Sequence, residues 1–269
     1  MVDSTNIWYI PKGNLNIKPE YIQTWQWKVS LQSRKPKNPY QVNLLLDYNS
    51  TKDKIADSIF YDNVGRRINY NINVAGNYYW HLGSSFRKSY SPNKNHTFRL
   101  YTSYDLYHYN TPQYLNAELV TSKSINNNMS IEISYGYLNL LKLSIKQGID
   151  FYENRQSNSQ QYHGNNNNTR FTGSWNFPKK ITWATNINFN TNKAQNQPTV
   201  NYAIWNANVT YRFMKGNQAE VKLSALDILN QNRSILNITN RNIQTFGFNN
   251  VLRQYFMLSI AYYPRKFGK

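Results

Sequence analysis

Apolar and polar residues take turns along most of this chain. Trp25, Trp27, Val29 and Leu31 alternate with Gln26, Lys28, Ser30 and Gln32. Phe98, Leu100 and Leu106 share a face opposite Arg99, Ser103 and Asp105. Met129, Ile131, Ile133, Tyr135 and Tyr137 oppose Asn128, Ser130, Glu132 and Ser134. Leu141, Leu143, Ile145, Ile149 and Phe151 oppose Lys142, Ser144, Lys146 and Asp150. Ile181, Trp183, Ile187 and Phe189 oppose Thr182, Asn186, Asn188 and Asn190, and Ala203, Trp205, Ala207, Val209, Tyr211 and Phe213 continue the pattern against Ile204, Asn206, Asn208, Thr210 and Arg212. A period of two marks strands whose side chains point alternately to two faces. No stretch repeats at the helical period, so an all-β chain is expected.

The connections fall into two classes. Short ones carry turn chemistry: Arg34 to Asn38, Ser91 to Asn95, Phe177 to Lys180 and Met214 to Asn217. Longer, Asn-rich ones cover roughly 52–73, 108–122, 154–168, 192–200 and 230–249. The stretch NRQSNSQQYHGNNNNTR (Asn154 to Arg170) is low in complexity and is expected to form a mobile loop. Between the connections lie about eleven strands, starting near residues 20, 39, 74, 95, 123, 140, 167, 180, 200, 217 and 250.

Strands with aromatic residues on one face and lysine, glutamine or asparagine on the other fit three settings: a soluble sandwich, a glycan- or nucleic-acid-binding face, and a bilayer. Composition narrows these. Aromatic residues make up 16% of the 269 positions, too many for a disordered chain. No run of about 18 apolar residues exists, which excludes membrane-spanning helices. A mean hydropathy of -0.73 is compatible with transmembrane strands, which need only about ten alternating residues and keep one polar face. The net charge of +18 is scattered in short runs such as Arg66-Arg67 and Lys179-Lys180, as expected of solvated strand ends rather than a nucleic-acid site. The absence of cysteine excludes disulfide scaffolds and thiolate metal sites. Residues 1–20 do not read as a signal peptide.

Alternation of short and long connections is the asymmetry of a transmembrane antiparallel β-barrel, with tight periplasmic turns and long extracellular loops. Eleven is an odd number for a closed bacterial barrel. An open sheet would leave two unpaired edges, which lipid does not tolerate. The chain is therefore expected to be part of a larger barrel, spanning 1–269 as one portion, with the signal peptide, plug and N-terminal strands absent.

Four stretches carry a resemblance. GNLNIKPEYIQTW (Gly13 to Trp25) resembles the Gly-Asn-Pro-x-Leu-x-Pro-Glu segment that precedes a mid-barrel strand in TonB-dependent outer-membrane receptors, with Leu15 where proline is usual and Ile17 where leucine is usual. Asn73 to Asn110 resembles the following hairpin. Ile204 to Ser234 resembles the penultimate hairpin, with its Lys-Gly turn and Asp-Ile-Leu-Asn-Gln end, and Val251 to Lys269 resembles the closing strand. More narrowly, the stretches resemble the outer-membrane β-barrel family with an upstream carboxypeptidase-regulatory-like domain. The resemblance implies the C-terminal half of a barrel of about 22 strands around a plug. It further implies location in the bacterial cell outer membrane and uptake of a scarce solute. The partners it implies are outer-membrane lipid, the missing N-terminal barrel half and plug, and the TonB energy-coupling complex acting through the plug.

Chemistry-bearing motifs are sparse. His81, His96, His108 and His163 stand far apart, without metal-ligand spacing. Glu132, Asp150 and Glu220 fall on the polar face, where Lys142, Lys146 or Lys222 are expected as partners. No hydrolase, metalloprotease or phosphate-loop motif is present. No catalytic, cofactor or metal site is expected, and the chain does not read as an enzyme. Trp25, Trp27, Trp175, Trp183, Tyr211, Phe256 and Tyr262 are candidates for membrane-interface girdles, where an amphipathic ring suits the headgroup level. Trp8, Tyr9, Tyr61, Tyr114 and Phe248 fall in the long segments, where they would stack on a ligand or pack within the loops. Two alternatives stay open: a soluble extracellular β-rich module binding polyanion or glycan, and a structural outer-membrane barrel without transport. The transported ligand is not legible.

Overall fold

The computed structural model describes residues 9–35, 38–115, 118–157, 161–232, 234–240, 243–249 and 253–264. Sixteen strands and no helix are found among them. The first eight are β1 (Tyr9–Lys12), β2 (Tyr21–Ser33), β3 (Tyr40–Lys52), β4 (Lys54–Tyr61), β5 (Arg67–Val74), β6 (Asn77–Tyr90), β7 (His96–Leu115) and β8 (Glu118–Tyr137). The others are β9 (Leu141–Gln156), β10 (Tyr162–Trp175), β11 (Ile181–Ala194), β12 (Val200–Phe213), β13 (Ala219–Leu226), β14 (Ser234–Asn240), β15 (Ile243–Asn249) and β16 (Tyr255–Tyr262).

One 14-stranded sheet contains all but β14 and β15, which pair with each other. Its backbone is the antiparallel series β2-β3-β6-β7-β8-β9-β10-β11-β12-β13-β16. These are the eleven strands expected from the alternation, each starting within five residues of its expected place. The sheet is open. Among the described residues β2 pairs only with β3, and β16 only with β13.

Strand tilt is legible in the register. Leu44 lies at the centre of the apolar face of β3, and its row of cross-strand partners runs through Ser84, Tyr104, Met129, Ile149 and Asn167 to Thr191. The apolar face of β11 is centred instead on Thr185, six residues before Thr191. Six strand-to-strand steps thus produce a drift of six residues. With a rise of about 3.3 Å per residue and a spacing of about 4.8 Å between strands, this corresponds to a tilt of about 35°, the range found in closed barrels.

Among the described residues no large apolar side chain is buried: the buried hydrophobic ones are Val74, Val120, Ala194, Val200, Ala203 and Ala219. The chain exposes 18547 Å², whereas a compact monomer of 31.8 kDa exposes roughly 12,200 Å².

Several expected loops are sheet instead. The stretch from Asn154 to Arg170 is not a mobile loop over most of its length: β9 continues to Gln156, and β10 pairs on both sides from Gly164 onward. Asparagine amides make this possible by bonding across strands. Asn168 donates to Asn188 and Asn190, and Asn192 donates to Asn166. The segments 52–73 and 230–249 hold the hairpins β4–β5 and β14–β15. Segment 108–122 belongs mostly to β7 and β8, which stay paired from Tyr137 to Glu118.

Above β6, β4 takes the free edge of β7 in parallel at Ser58↔Tyr114 and Ile59↔Leu115, and β1 adds in parallel to β5. The segment before β2 is tied to this patch. Asn14 donates to Asn71 O at 2.8 Å, and Asn73 binds both the N–H and the carbonyl of Lys18 and reaches Asp53 O. Glu20 accepts from Ile55 N at 2.7 Å and pairs with Lys54 at 3.0 Å. The four stretches bearing the family resemblance thus fall at the entry to β2 and its first residues, on β6–β7, on β12–β13 and on β16. Residues 251–252 and 265–269 of the last lie outside the described residues.

The Asp-Ile-Leu-Asn-Gln end has a structural role. Buried Asp227 accepts from Gln231 N and Asn232 N, one on each oxygen at 3.0 Å, and its own N–H donates to Asn206 Oδ1 at 2.9 Å. Replacing it removes both acceptors from a closed turn. D227A is expected to destabilise the folded chain by roughly 1–3 kcal/mol, and D227N by less because one acceptor remains. Urea unfolding in detergent checks this, and equal midpoints for wild type and D227A would contradict it.

The β4–β5 turn is pH-sensitive. The backbone N–H of Arg66, its guanidinium and the Val64 amide hold the Asp62 carboxyl below its ordinary value. A depressed folded value means that the stabilisation is complete above the ordinary carboxylate range and is lost as pH falls through the lowered value. Amides of Val64 and Arg66 are expected to exchange faster below about pH 4 in wild type, and D62N should remove that dependence. Hydrogen exchange followed against pH provides the measurement.

Candidate functional site

Cross-strand register divides each strand of the eleven-stranded antiparallel series into the same two faces. On one, Trp27, Leu46, Leu82 and Leu106 are successive partners across β2, β3, β6 and β7. Further along, Leu141, Trp175, Trp183, Val209, Leu223 and Leu258 form another row. These apolar side chains are the exposed ones: Ile133 is 53% exposed, Ile145 50% and Ile260 73%. Polar residues between them, such as Glu132, Ser134 and Ser144, are less exposed. That ordering inverts the usual arrangement of a water-soluble domain. A polar pair on the apolar face is internally satisfied, with Thr169 donating to Gln147, whose amide donates to Gly148 O.

The seven aromatics singled out in the sequence all lie on the apolar face and are all exposed, from 46% at Trp183 to 69% at Trp25. Trp175, Trp183, Tyr211 and Tyr262 lie toward the short turns, while Trp25 and Phe256 lie toward the opposite end. Tyr211 stacks on Phe213 and Trp175 on Phe177, each pair with centroids 5.9 Å apart. Of the loop aromatics, Tyr61 is exposed at the tip of β4 and Tyr114 is half-buried beside it in register with Ser58. Trp8 lies outside the described residues, as do the side chains of Tyr9 and Phe248.

The other face is a hydrogen-bonded polar wall. Its densest point spans β2, β3, β6 and β7. His81 lies between two carboxylates, Nε2 at 2.9 Å from Asp105 Oδ1 and Nδ1 at 3.6 Å from Asp47 Oδ2. Gln26 donates to Asp47 at 2.6 Å, and the imidazole stacks on Tyr107 with centroids 4.1 Å apart. Tyr79, Tyr107 and Tyr109 extend the stack along the wall. Because the carboxylates approach opposite ring nitrogens, they clamp a ring across three strands and do not converge on one point. Among the described residues no group of three or more His, Asp or Glu converges to hold a metal ion. The separation of Asp47, His81 and Asp105 in sequence hid this cluster, and the strand register that brings them together was its only signal.

The expected carboxylate partners are partly corrected. Glu220 pairs with Arg212 at 3.3 Å, not with Lys222, and also accepts from Tyr263 Oη at 3.1 Å. Arg212 lies directly across the β12–β13 ladder from Glu220, whereas Lys222 lies two residues along the same strand as Glu220 and opposite Thr210. Glu132 does face Lys146 across β8–β9. Below it, Lys94, Arg99 and Lys142 line a polar groove of about 520 Å³.

Gly83 makes the clamp possible. A Cβ there would lie 3.2 Å from both Asp105 Oδ1 and His81 Nε2, so the branched side chain of G83V is expected to separate them. The loss should be roughly 1–3 kcal/mol in detergent unfolding. G148A should change stability by less than about 0.5 kcal/mol, its Cβ meeting nothing nearer than 3.8 Å. Equal effects of the two substitutions would show that the clamp contributes nothing. No known protein family matches the sequence of this chain, and no curated protein matches it either.

Proposed function

We propose that this chain is the C-terminal portion of a transmembrane β-barrel of the bacterial outer membrane. In that reading it forms the barrel wall of a TonB-dependent receptor that takes up a scarce solute, and it is not an enzyme. The carrying observation is the inversion of burial: large apolar side chains lie exposed on one face of a single sheet, while the other face is a bonded polar wall. A bilayer outside and an aqueous lumen inside suit those faces. The drift of the apolar band gives the strand tilt that barrels require. Outer-membrane lipid is then the partner of the apolar face, and the Trp and Tyr residues near its ends belong to the interfacial girdles.

The edges support a larger barrel. Backbone groups left unpaired in hydrocarbon cost several kcal/mol each, and β2 alone offers thirteen residues along its open side. In an antiparallel series of eleven, β2 and β16 run the same way, so joining them directly would create a parallel seam. An odd number of added strands makes every seam antiparallel. The N-terminal barrel half supplies them in this reading. The plug that fills the lumen connects to the energy-coupling complex.

Membrane fractionation tests the proposal. The 269-residue chain, produced together with a segment bearing the preceding strands, is expected to resist alkaline extraction from outer membranes. Alone, it should aggregate in water and fold only in detergent. A soluble, monomeric and cooperatively folded chain without detergent would overturn the reading.

A further inference from the structure

On the membrane reading above, we propose that the outer face of β9–β12 holds one acyl chain of an anionic phospholipid, with the headgroup against Lys179 and Lys180. Leu143, Gly173, Thr185 and Ala207 are successive partners in one row across the four strands. Small side chains at the last three leave a recess. The row on one side includes Phe171 and Trp205, and the row on the other includes Trp175 and Trp183. Together they enclose a groove of about 450 Å³. A methylene occupies close to the volume of a water molecule, roughly 30 Å³, so a single chain of roughly fifteen carbons fills it.

Polar atoms in the floor are already engaged. Thr185 Oγ1 accepts from Trp205 Nε1 at 2.8 Å and donates to Asn206 O at 3.3 Å. The first bond also fixes the indole along the groove wall. Nothing in the recess then requires water, which suits a saturated chain.

Groove direction and charge select the ligand. Rows of paired residues climb toward the long connections as strand number increases, so the β9–β10 end of the groove is nearest the short turns. Gly173 is four residues from Phe177, where the turn to Lys180 begins. That turn is fixed by Ile181 N donating to Pro178 O at 3.0 Å and Arg212 N donating to Lys180 O at 2.8 Å. Lys179 and Lys180 are exposed, and neither forms an ion pair among the described residues. Lys215 adds a third exposed cation in the neighbouring short turn. Cations at this depth attract an anionic headgroup, while the groove accepts its chain.

Tryptophan quenching by brominated lipids tests this on the full chain, produced together with the segment bearing the preceding strands and reconstituted with it in phosphatidylcholine vesicles. One set contains brominated phosphatidylglycerol and the other brominated phosphatidylcholine at the same mole fraction. Wild type is expected to be quenched by the anionic lipid at roughly one-tenth the mole fraction needed for the zwitterionic one. K179Q/K180Q, confined to an exposed turn, should equalise the two lipids without reducing quenching by phosphatidylcholine. A207F should fill the groove and lower the excess quenching by phosphatidylglycerol. Equal quenching of wild type by both lipids would overturn the proposed site while leaving the membrane reading intact. No quenching by either lipid would overturn both.

Discussion

Each strand of the main sheet is held by the backbone bonds to its neighbours, and among the described residues no second layer lies behind it. That constraint organises the molecule. In a sandwich or an α/β domain, side chains between layers supply much of the stability. Here the buried hydrophobic side chains among the described residues are three valines and three alanines, so the ladders hold the sheet together and the side chains adapt it to what lies on either side. The open edges of β2 and β16 follow from the same fact, because a ladder ends wherever its next strand is not supplied.

The polar wall compensates for the missing layer by bonding within itself. Amides of Asn166, Asn168, Asn188, Asn190 and Asn192 link β10 to β11, where a soluble protein would place a packed core. The Asp47–His81–Asp105 clamp performs the same task across β3, β6 and β7, and Arg212–Glu220 does so across β12 and β13. Polar contacts of this kind are individually modest. They are local to each ladder, so each pair of neighbouring strands orders its own stretch of the polar face.

The wide apolar face tolerates local specialisation. Most of its rows carry large side chains, but the row through Gly173, Thr185 and Ala207 drops below its neighbours. Conversely, the patch formed by β1, β5 and β4 beside β7 holds Ser58, one of the two most buried side chains among the described residues. It covers the end of the sheet with the long connections, where Glu20 and Asn73 join the segment before β2 to the β3–β4 bend.

Strand identity, strand order and the division into two faces were legible in the sequence because the period of two is a local property, set by backbone geometry at each residue. The eleven strands of the antiparallel series could be placed from the alternation around residues such as Trp25, Ile131, Leu143 and Trp205 alone. The Asn154–Arg170 stretch misled because asparagine favours loops in isolation. It becomes strand only when amides on β10 and β11 meet, and that pairing is a tertiary fact. The tilt, the placement of β4 on β7, the clamp around His81 and the preference of Glu220 for Arg212 over Lys222 likewise depend on register between strands distant in sequence. Sequence determined what each strand is. Only the tertiary structure decided which residues face one another, because cross-strand register is fixed by neighbours and not by the strand itself.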